Sequence, residues 1–265
     1  MYELVSVVKV HDVRPRLMGL SAATVFNLGG SWVAAMSARH GAARRASPLP
    51  SPAPKTRPSR SNDSERTRQN ILAIATDEFA NKGFSGARVD EIAARTNASK
   101  RMIYYYFEDK EGLFIAVLEE AYRRIREIEA SLDLAHLEPV DAIRALVAFT
   151  FDYQNANEDF IRLVMVENIH KGVHIERSRA VEDLNVSVIN TIRDIYQRGL
   201  RQGVFREGVD EIDLHMSISA LCFFNVANRS TFSRIFKRDM SSPKALARRR
   251  EVVIETIVRF LRRDN

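Results

Sequence analysis

Residues 84–110 read FSGARVDEIAARTNASKRMIYYYFEDK, and this stretch decides the fold. It predicts two short helices joined at Asn97, a residue type that accepts a left-handed backbone. Ser99 follows the joint and is a favourable N-cap for the second helix. Helices shorter than about 12 to 15 residues are marginal when isolated, so neighbouring helices must hold this pair in place. The inward-facing apolar positions of the pair are Val89, Ile92, Ala93, Ile103 and Phe107.

Two longer predicted helices flank this pair. In the helix before it, apolar residues recur at helical spacing after a polar start at Ser64, and Gly83 ends the helix. Asp109 caps the helix that follows, whose apolar stripe needs a partner surface. The flanks are therefore expected to clamp the short pair. Their apolar positions are Ile71, Leu72, Ala75 and Phe79 before the pair, and Phe114, Val117, Leu118, Ala121, Ile125 and Ile128 after it.

The second short helix keeps one face free for another partner. Its outward side chains are Lys100, Arg101, Tyr104 and Tyr105. A helix of this length and width fits the major groove of duplex DNA. Lysine and arginine read guanine edges or hold phosphates, and tyrosine hydroxyls donate to phosphate oxygens. The stretch therefore predicts a DNA-binding helix-turn-helix, although three consecutive tyrosines taken alone are more typical of core packing.

The same stretch resembles the signature of the tetracycline-repressor (TetR) family. Residues 98–107, ASKRMIYYYF, are followed by DKE at 109–111. Upstream, FANKGF at 79–84 and VDEIA at 89–93 fit the family's pattern in the same order and spacing. Because separately placed motifs agree over one segment, the resemblance is specific.

This resemblance implies a fold class and a function. Members are all-α: a three-helix DNA-binding domain, here residues 63–120 with its helix-turn-helix at 88–107, precedes an effector-binding and dimerisation domain, here 121–265. The expected function is that of a transcriptional repressor that a small-molecule effector of unknown identity releases from double-stranded operator DNA. A homodimer is expected, since two-fold operators need two recognition helices about 34 Å apart.

The resemblance also implies a set of DNA contacts. Residues 99–102 fall where members contact bases or phosphates, and Tyr104 falls on a recurring phosphate-binding tyrosine. Lys110 lies at the amino end of a helix, a place that favours phosphate. Three residues depart from the family's pattern: Asn97 replaces the usual glycine, Arg88 replaces a capping threonine and Tyr106 replaces a frequent histidine. The predicted DNA-binding residues are Arg88, Ser99, Lys100, Arg101, Met102, Tyr104, Tyr105 and Lys110.

Five further helices are predicted in the second half, which gives about nine helices and no strand. The last two each carry an apolar face that the resemblance assigns to a dimeric four-helix bundle, with packing inside one subunit as the alternative. The five helices cover about 139–157, 158–170, 175–201, 210–228 and 243–263. The two faces are Leu214, Ile218, Leu221 and Cys222, and Val253, Ile257, Phe260 and Leu261.

The resemblance places an effector pocket in this half, where polar side chains interrupt apolar surroundings. For each candidate, core packing or solvent exposure is the alternative. The predicted pocket residues are Phe149, Tyr153, Met165, Glu167, Asn168, His170 and Asn225, with Asn185, Phe223 and Phe224 as further candidates.

Charge is distributed unequally along the chain. Residues 1–62 hold nine Lys/Arg and two Asp/Glu, a net +7, whereas the remaining 31 basic and 32 acidic residues sum to −1. Residues 37–62 are rich in Ala, Arg, Ser and Pro, a composition that buries too little apolar surface to order, so a disordered linker is expected. The segment 1–62 is either an extension from an upstream start codon or a basic arm that adds phosphate contacts.

Other classes of protein have weaker support. One cysteine, Cys222, excludes an internal disulfide framework and suits the cytoplasm. The uncharged stretch 17–37 contains glycines and small polar residues, which makes it a weak membrane span, and no membrane partner is expected. Glu167, His170 and His174 have the spacing of a metal-assisted hydrolytic site, but the glycine between the histidines misaligns them. No metal, cofactor or enzymatic activity is therefore expected, and a helical adaptor that does not bind DNA is the third alternative.

Overall fold

The computed structural model describes residues 60–263. The all-α fold class is confirmed: this range holds ten α-helices and one short 3-10 helix, with no extended structure except an isolated bridge between Phe205 and Arg262. The expectations of a linker or a basic arm at residues 1–59 lie outside the described residues. The helices are α1 (Arg60–Gly86), α2 (Val89–Thr96), α3 (Lys100–Phe107), α4 (Lys110–Ala130), α5 (Pro139–Ala156), α6 (Glu158–Ile169), the 3-10 helix (Ile175–Arg177), α7 (Arg179–Arg201), α8 (Glu211–Ala227), α9 (Arg229–Ile235) and α10 (Pro243–Leu261).

The first core forms where α1 and α4 enclose the two short helices, as predicted. Ile92 of α2 and Ile103 of α3 are fully buried, and they pack with Phe79 and Phe114, whose ring centroids lie 4.9 Å apart. Within α1 the backbone leaves the helical region at Gly83, with φ 70° and ψ 173°, where the sequence predicts a helix end. The short pair is thus held by the flanking helices.

The joints around α3 follow the predicted capping chemistry. Asn97 adopts the left-handed conformation with φ 53° and ψ 23°, and the Ser99 hydroxyl accepts a hydrogen bond from the Met102 amide at 3.1 Å. Asp109 caps α4 by accepting from the Gly112 amide at 2.7 Å. A Cβ at Gly112 would lie 2.1 Å from the carbonyl oxygen of Phe107. This close approach fixes the end of α3 against the start of α4.

The second core is built from α5, α7, α8 and α10. The predicted domain boundary at residue 120 falls inside α4, which is continuous from Lys110 to Ala130 and so belongs to both halves. Helix α6 joins the halves as well, because Leu163 is buried in the first core and Arg162 donates to the Asn81 side chain at 2.6 Å.

Two predicted helix boundaries were wrong. The predicted helix 175–201 is divided, because Ser178 breaks the helical run and its hydroxyl caps α7 by accepting from the Val181 amide at 3.3 Å. The extra helix α9 follows Asn228, where the sequence predicts the end of helical structure. At Ser178 a local side-chain hydrogen bond starts the new helix, whereas Asn228 makes no side-chain cap at the start of α9.

The predicted dimer faces of α8 and α10 were also wrong. Most of their residues lie in the core of one subunit, so the alternative of packing inside the subunit holds for them; Phe260 alone is exposed. A different stripe remains at the surface of each helix at i, i+4 spacing, because both helices carry apolar residues on two faces. The buried residues are Leu214, Ile218, Cys222, Val253, Ile257 and Leu261, and Leu221 packs against them. The exposed stripes are Ile212, Met216, Ala220 and Phe224 on α8, and Val252, Thr256 and Phe260 on α10.

Candidate DNA-binding face and effector cavity

The outer surface of α3 is open among the described residues. Tyr105 is 82% exposed, Tyr104 is 40% exposed and Met102 is 42% exposed. Arg101 is exposed as well and forms no ion pair with the described part of the chain. A rigid helix with an uncovered cationic and phenolic face is what insertion into a DNA groove requires.

The tyrosine run divides between the surface and the interior. Tyr104 and Tyr105 point outward, whereas Tyr106 is half-buried and its hydroxyl lies 2.8 Å from the Ser64 hydroxyl of α1. The ring of Tyr106 also packs beside Phe107. Tyr106 therefore connects α3 to α1, whereas Tyr104 and Tyr105 remain accessible to a ligand.

Both predicted lysine contacts lie against the protein's own surface. Lys100 forms an ion pair of 2.7 Å with Asp90 of α2, and the hydrogen bond that its ammonium donates to the Asp90 carboxylate raises the pKa of Lys100. The Lys110 ammonium lies 5.0 Å from the centre of the Phe84 ring, and partial burial lowers the pKa of Lys110. A phosphate that approaches Lys100 must compete with Asp90.

The remaining predicted DNA residues are exposed but differ in their roles. Arg88 is the N-cap residue of α2. Its side chain makes no capping hydrogen bond, as the replacement of threonine predicts. The Ser99 hydroxyl is occupied by the cap of α3. Of the two, Arg88 has the freer side chain for a contact outside the protein.

A cavity lies in the second half, between α4, α5, α6, α7, α8 and the 3-10 helix. Its volume is about 580 Å³, within the range of small-molecule sites. It is lined by Tyr122, Ile125, Arg126, Thr150, Gln154, Phe160, Val164, Ile175, Glu176, Ser178, Val181, Glu182, Asn185, His215, Ser219 and Phe223.

The seven predicted pocket residues do not line this cavity, whereas two of the further candidates, Asn185 and Phe223, do. Phe149 and Tyr153 pack together with ring centroids 5.8 Å apart, and Asn225 donates to the Asn155 side chain at 2.9 Å. Met165 and Asn168 are exposed, and His170 packs against Phe84. Their positions follow from how the helices rotate in the bundle, which the spacing of polar residues does not specify.

Glu167 serves a structural role that its sequence position does not reveal. It is buried, and Oε1 accepts hydrogen bonds from the amides of His174 at 2.9 Å and Ile175 at 3.0 Å. Oε2 lies 2.7 Å from Nδ1 of His174. The His174 ring packs 4.7 Å from Phe84 and 4.9 Å from Phe114. This Glu167–His174 clamp joins a wall of the cavity, at Ile175, to the core of the first domain.

Apart from Asn185, the cavity's polar side chains were not predicted from the sequence. Tyr122 and Arg126 lie one turn apart on α4, and Thr150 and Gln154 lie one turn apart on α5. Polar pairs at i, i+4 on otherwise buried faces were the available signal. That signal does not tell which helices face each other across a cavity.

Burial and a nearby cation set the protonation state of His215 on the α8 side of the cavity. His215 has its pKa lowered to about 4, first by burial and then by the charge of Arg126. The imidazole of His215 is therefore neutral at pH 7. Arg126 itself is buried, pairs with Glu129 and donates to the Asn185 side chain at 3.1 Å.

The alternative of a metal site at Glu167, His170 and His174 receives no geometric support. No group of three or more His, Cys, Asp or Glu side chains within residues 63–263 is arranged to hold a metal ion. In the same part of the chain, no helix has the length and apolar character needed to cross a membrane.

Comparison with known proteins identifies the family. The model of "Bacterial regulatory proteins, tetR family" matches residues 71–117, and that of "Tetracyclin repressor-like, C-terminal domain" matches 139–257. The HTH-type transcriptional repressor NicS of Pseudomonas putida is 35% identical over 204 residues, which cover 77% of this chain and 96% of NicS. The HTH-type transcriptional repressor SCO4008 of Streptomyces coelicolor is 31% identical over 162 residues, covering 60% and 78% of the two chains.

Solved structures share this fold. A TetR transcriptional regulator from Chloroflexus aurantiacus aligns with TM-score 0.58 at 24% identity, covering 77% of this chain and 100% of its own. FadR from Bacillus subtilis, in complex with stearoyl-CoA, aligns with TM-score 0.58 at 17% identity, covering 73% and 98%. The chain belongs to the TetR family and is a DNA-binding transcriptional regulator, as the resemblance predicts.

We predict that Glu167→Ala destabilises the fold by about 2–4 kcal/mol, because it leaves two buried amides and the His174 ring without their acceptor. Chemical denaturation of the full chain measures the change. Glu176→Ala, which removes an exposed carboxylate close by, is the control and should change stability by less than about 0.5 kcal/mol. Equal effects of the two substitutions would contradict a structural role for the clamp.

We also predict a pH effect from His215. The pKa of His215 is about 4 in the native protein and 6.5 ordinarily. Between these two pH values the unfolded chain binds a proton at His215 that the native protein does not bind. Stability is therefore lost as the pH falls from 6.5 towards 4, and nothing is lost above that window. Between pH 7 and pH 5, His215→Gln should lose on the order of 1 kcal/mol less than wild type, a value discounted for partial exposure.

Urea denaturation at both pH values gives this difference. The control is His136→Gln, which removes a histidine with 79% of its side chain exposed and should behave like wild type. Parallel loss in wild type and His215→Gln would show that the imidazole is protonated freely in the fold.

Proposed function

We propose that this regulator is a repressor whose homodimer binds operator DNA through α3 and releases it when a small molecule occupies the cavity. The observation that best supports this proposal is the exposed outer face of α3, a helix that α1 and α4 hold in place. The proposed DNA-binding domain is residues 63–120, and the proposed effector-binding and dimerisation domain is 121–265. The repressor names of NicS and SCO4008 support this function.

The chemistry of α3 supports distinct roles for its outward residues. Arg101 and Tyr105 are the least restrained by the protein, so we assign Arg101 to base edges or phosphates and Tyr105 to phosphate oxygens. Tyr104 and Met102 lie along the same face, with Met102 suited to apolar contact with a thymine methyl group. Lys100, Lys110 and Arg88 surround this face as phosphate contacts.

The exposed stripes of α8 and α10 support a homodimer. Ile212 is 63% exposed and Met216 is 60% exposed, and Phe224 continues the stripe along α8. Val252 and Phe260 form the parallel stripe on α10. Large apolar side chains in a line at i, i+4 spacing suit a four-helix bundle with a second copy of the chain.

The path from the cavity to α3 runs along α4. Arg126 lies on the cavity wall at one end of α4, and Gly112 contacts the Phe107 carbonyl at the other end. Ser178 of the cavity wall also donates to the Glu119 side chain of α4 at 2.6 Å. An effector that shifts α4 therefore shifts α3 and the separation of the two recognition helices in the dimer, which lowers operator affinity.

We predict that Arg101→Ala weakens binding to operator by roughly 10- to 100-fold, because a charged groove contact is worth about 1–3 kcal/mol, and lowers the salt-dependence slope by about 1. Tyr104→Ala should weaken binding with little change of slope. Fluorescence anisotropy measures both, with a duplex that the wild type selects from a random-sequence pool. Arg201→Ala removes an exposed arginine far along α7 and is the control. Wild-type affinity in the α3 variants would refute the groove assignment.

We predict that Met216→Glu converts the dimer to monomer, because it buries a carboxylate in an apolar interface. Sedimentation velocity measures the state, and operator affinity should fall with it. Val186→Glu places the same charge at an apolar side chain of α7 that is 52% exposed, and it should remain dimeric. A dimeric Met216→Glu protein would exclude the α8 stripe from the interface.

A further inference from the structure

The cavity's walls show what kind of molecule it receives. Three aromatic rings, Tyr122, Phe160 and Phe223, line it, and the first two meet edge to face with centroids 5.4 Å apart. Aromatic rings that line a cavity offer faces and edges against which a ligand ring packs favourably. The apolar lining therefore favours an aromatic ligand.

The deep wall adds a positive group with spare hydrogen-bonding capacity. A guanidinium has five N–H donors, and Arg126 is recorded with two partners, Glu129 and Asn185. Its Nε is buried without a hydrogen-bond partner. Because arginine matches a carboxylate with two parallel hydrogen bonds, a ligand carboxylate suits this wall.

The charge of Arg126 acts on groups of the cavity although Glu129 pairs with it. Burial lowers the pKa of His215, and Arg126 lowers it further. Burial raises the pKa of Tyr122, where Arg126 acts against burial and Glu167 acts with it. Two carboxylates of the lining, Glu176 and Glu182, are exposed, where water screens them.

A second, independent observation excludes a purely apolar ligand. Gln154 is 5% exposed, and its amide oxygen has no hydrogen-bond partner. It lies beside Thr150, one turn away on α5. Buried polar atoms without partners are rare in folded proteins and cost free energy unless a ligand or water meets them. A hydrocarbon tail would leave both groups unmet, whereas a ligand carboxylate meets the Arg126 donor and a donor on the ligand or a water meets the Gln154 oxygen, which accepts.

From these observations we infer that the effector is a planar aromatic carboxylate, with its carboxylate on Arg126 and its ring between Tyr122, Phe160 and Phe223. Only the regulatory role of this ligand, as an effector that releases DNA, rests on the proposed function. The binding site itself is assigned from the cavity's own chemistry, so binding can be measured without DNA.

The test compares three probes of one shape and different charge. These are 2-naphthoate, neutral 2-naphthamide and cationic 2-naphthylmethylammonium, titrated into the full chain by calorimetry. We expect 2-naphthoate to bind at least tenfold more tightly than either of the others. Absence of 2-naphthoate binding, or equal or tighter binding of the amide or the ammonium, would overturn the inference. This comparison uses the wild type and so does not depend on whether any variant folds.

Variants then locate the carboxylate. Arg126→Met alone would leave Glu129 buried and unpaired, so the double variant Arg126→Met/Glu129→Gln removes both charges together. We expect it to lose the preference for 2-naphthoate while its affinity for 2-naphthamide stays within threefold. Arg123→Met removes a neighbouring arginine of α4 that pairs with Glu120 outside the cavity, and it should keep the preference. A double variant that folds and keeps the preference would place the carboxylate elsewhere.

Operator binding separates this inference from the proposed function. Operator affinity is measured for each protein without probe and with saturating 2-naphthoate. If operator binding is lost only in the α3 variants but 2-naphthoate neither binds nor releases DNA, the ligand class is wrong and the repressor stands. If 2-naphthoate binds with the expected preference but leaves operator affinity unchanged, the site stands and the release mechanism is wrong.

Discussion

The regulator depends on the burial of two helices that are too short to be stable alone. Ile92 and Ile103 are fully buried between α1 and α4, and the contact of Phe79 with Phe114 completes the enclosure. Because this core holds the inner face of α3, the exposure of its outer face is a direct consequence of that packing. The proposed DNA-binding face therefore depends on the hydrophobic burial directly beneath it.

Helix α4 gives this small core its connection to the rest of the molecule. Its first half closes the DNA-binding core, and its second half carries Tyr122 and Arg126 into the cavity. The Glu167–His174 clamp makes a second connection, since the same histidine packs on Phe84 and Phe114. With two rigid connections between cavity and core, a displacement at the cavity wall is not absorbed by a flexible joint.

The polar residues of the second half show why function is harder to read there than in the first. Glu167 has the residue type and spacing of a ligand group, yet it accepts hydrogen bonds from backbone amides of the turn that follows α6. Arg126 has the appearance of a surface residue on a charged helix, yet it is buried beside Glu129. In both cases the decisive partner is either a backbone group or a residue from a distant helix, such as Asn185, which spacing does not predict.

By itself, the sequence determined the helix-turn-helix, its caps at Ser99 and Asp109, the left-handed joint at Asn97 and the outward set on α3. These features are local: each depends on residues within one or two helical turns, where geometry is set by the backbone. The tertiary structure alone decided which faces of α8 and α10 are buried, where the cavity lies and which residues line it. Both helices carry two apolar faces, and only packing against α5 and α7 selects between them, because burial depends on neighbours that are remote in sequence.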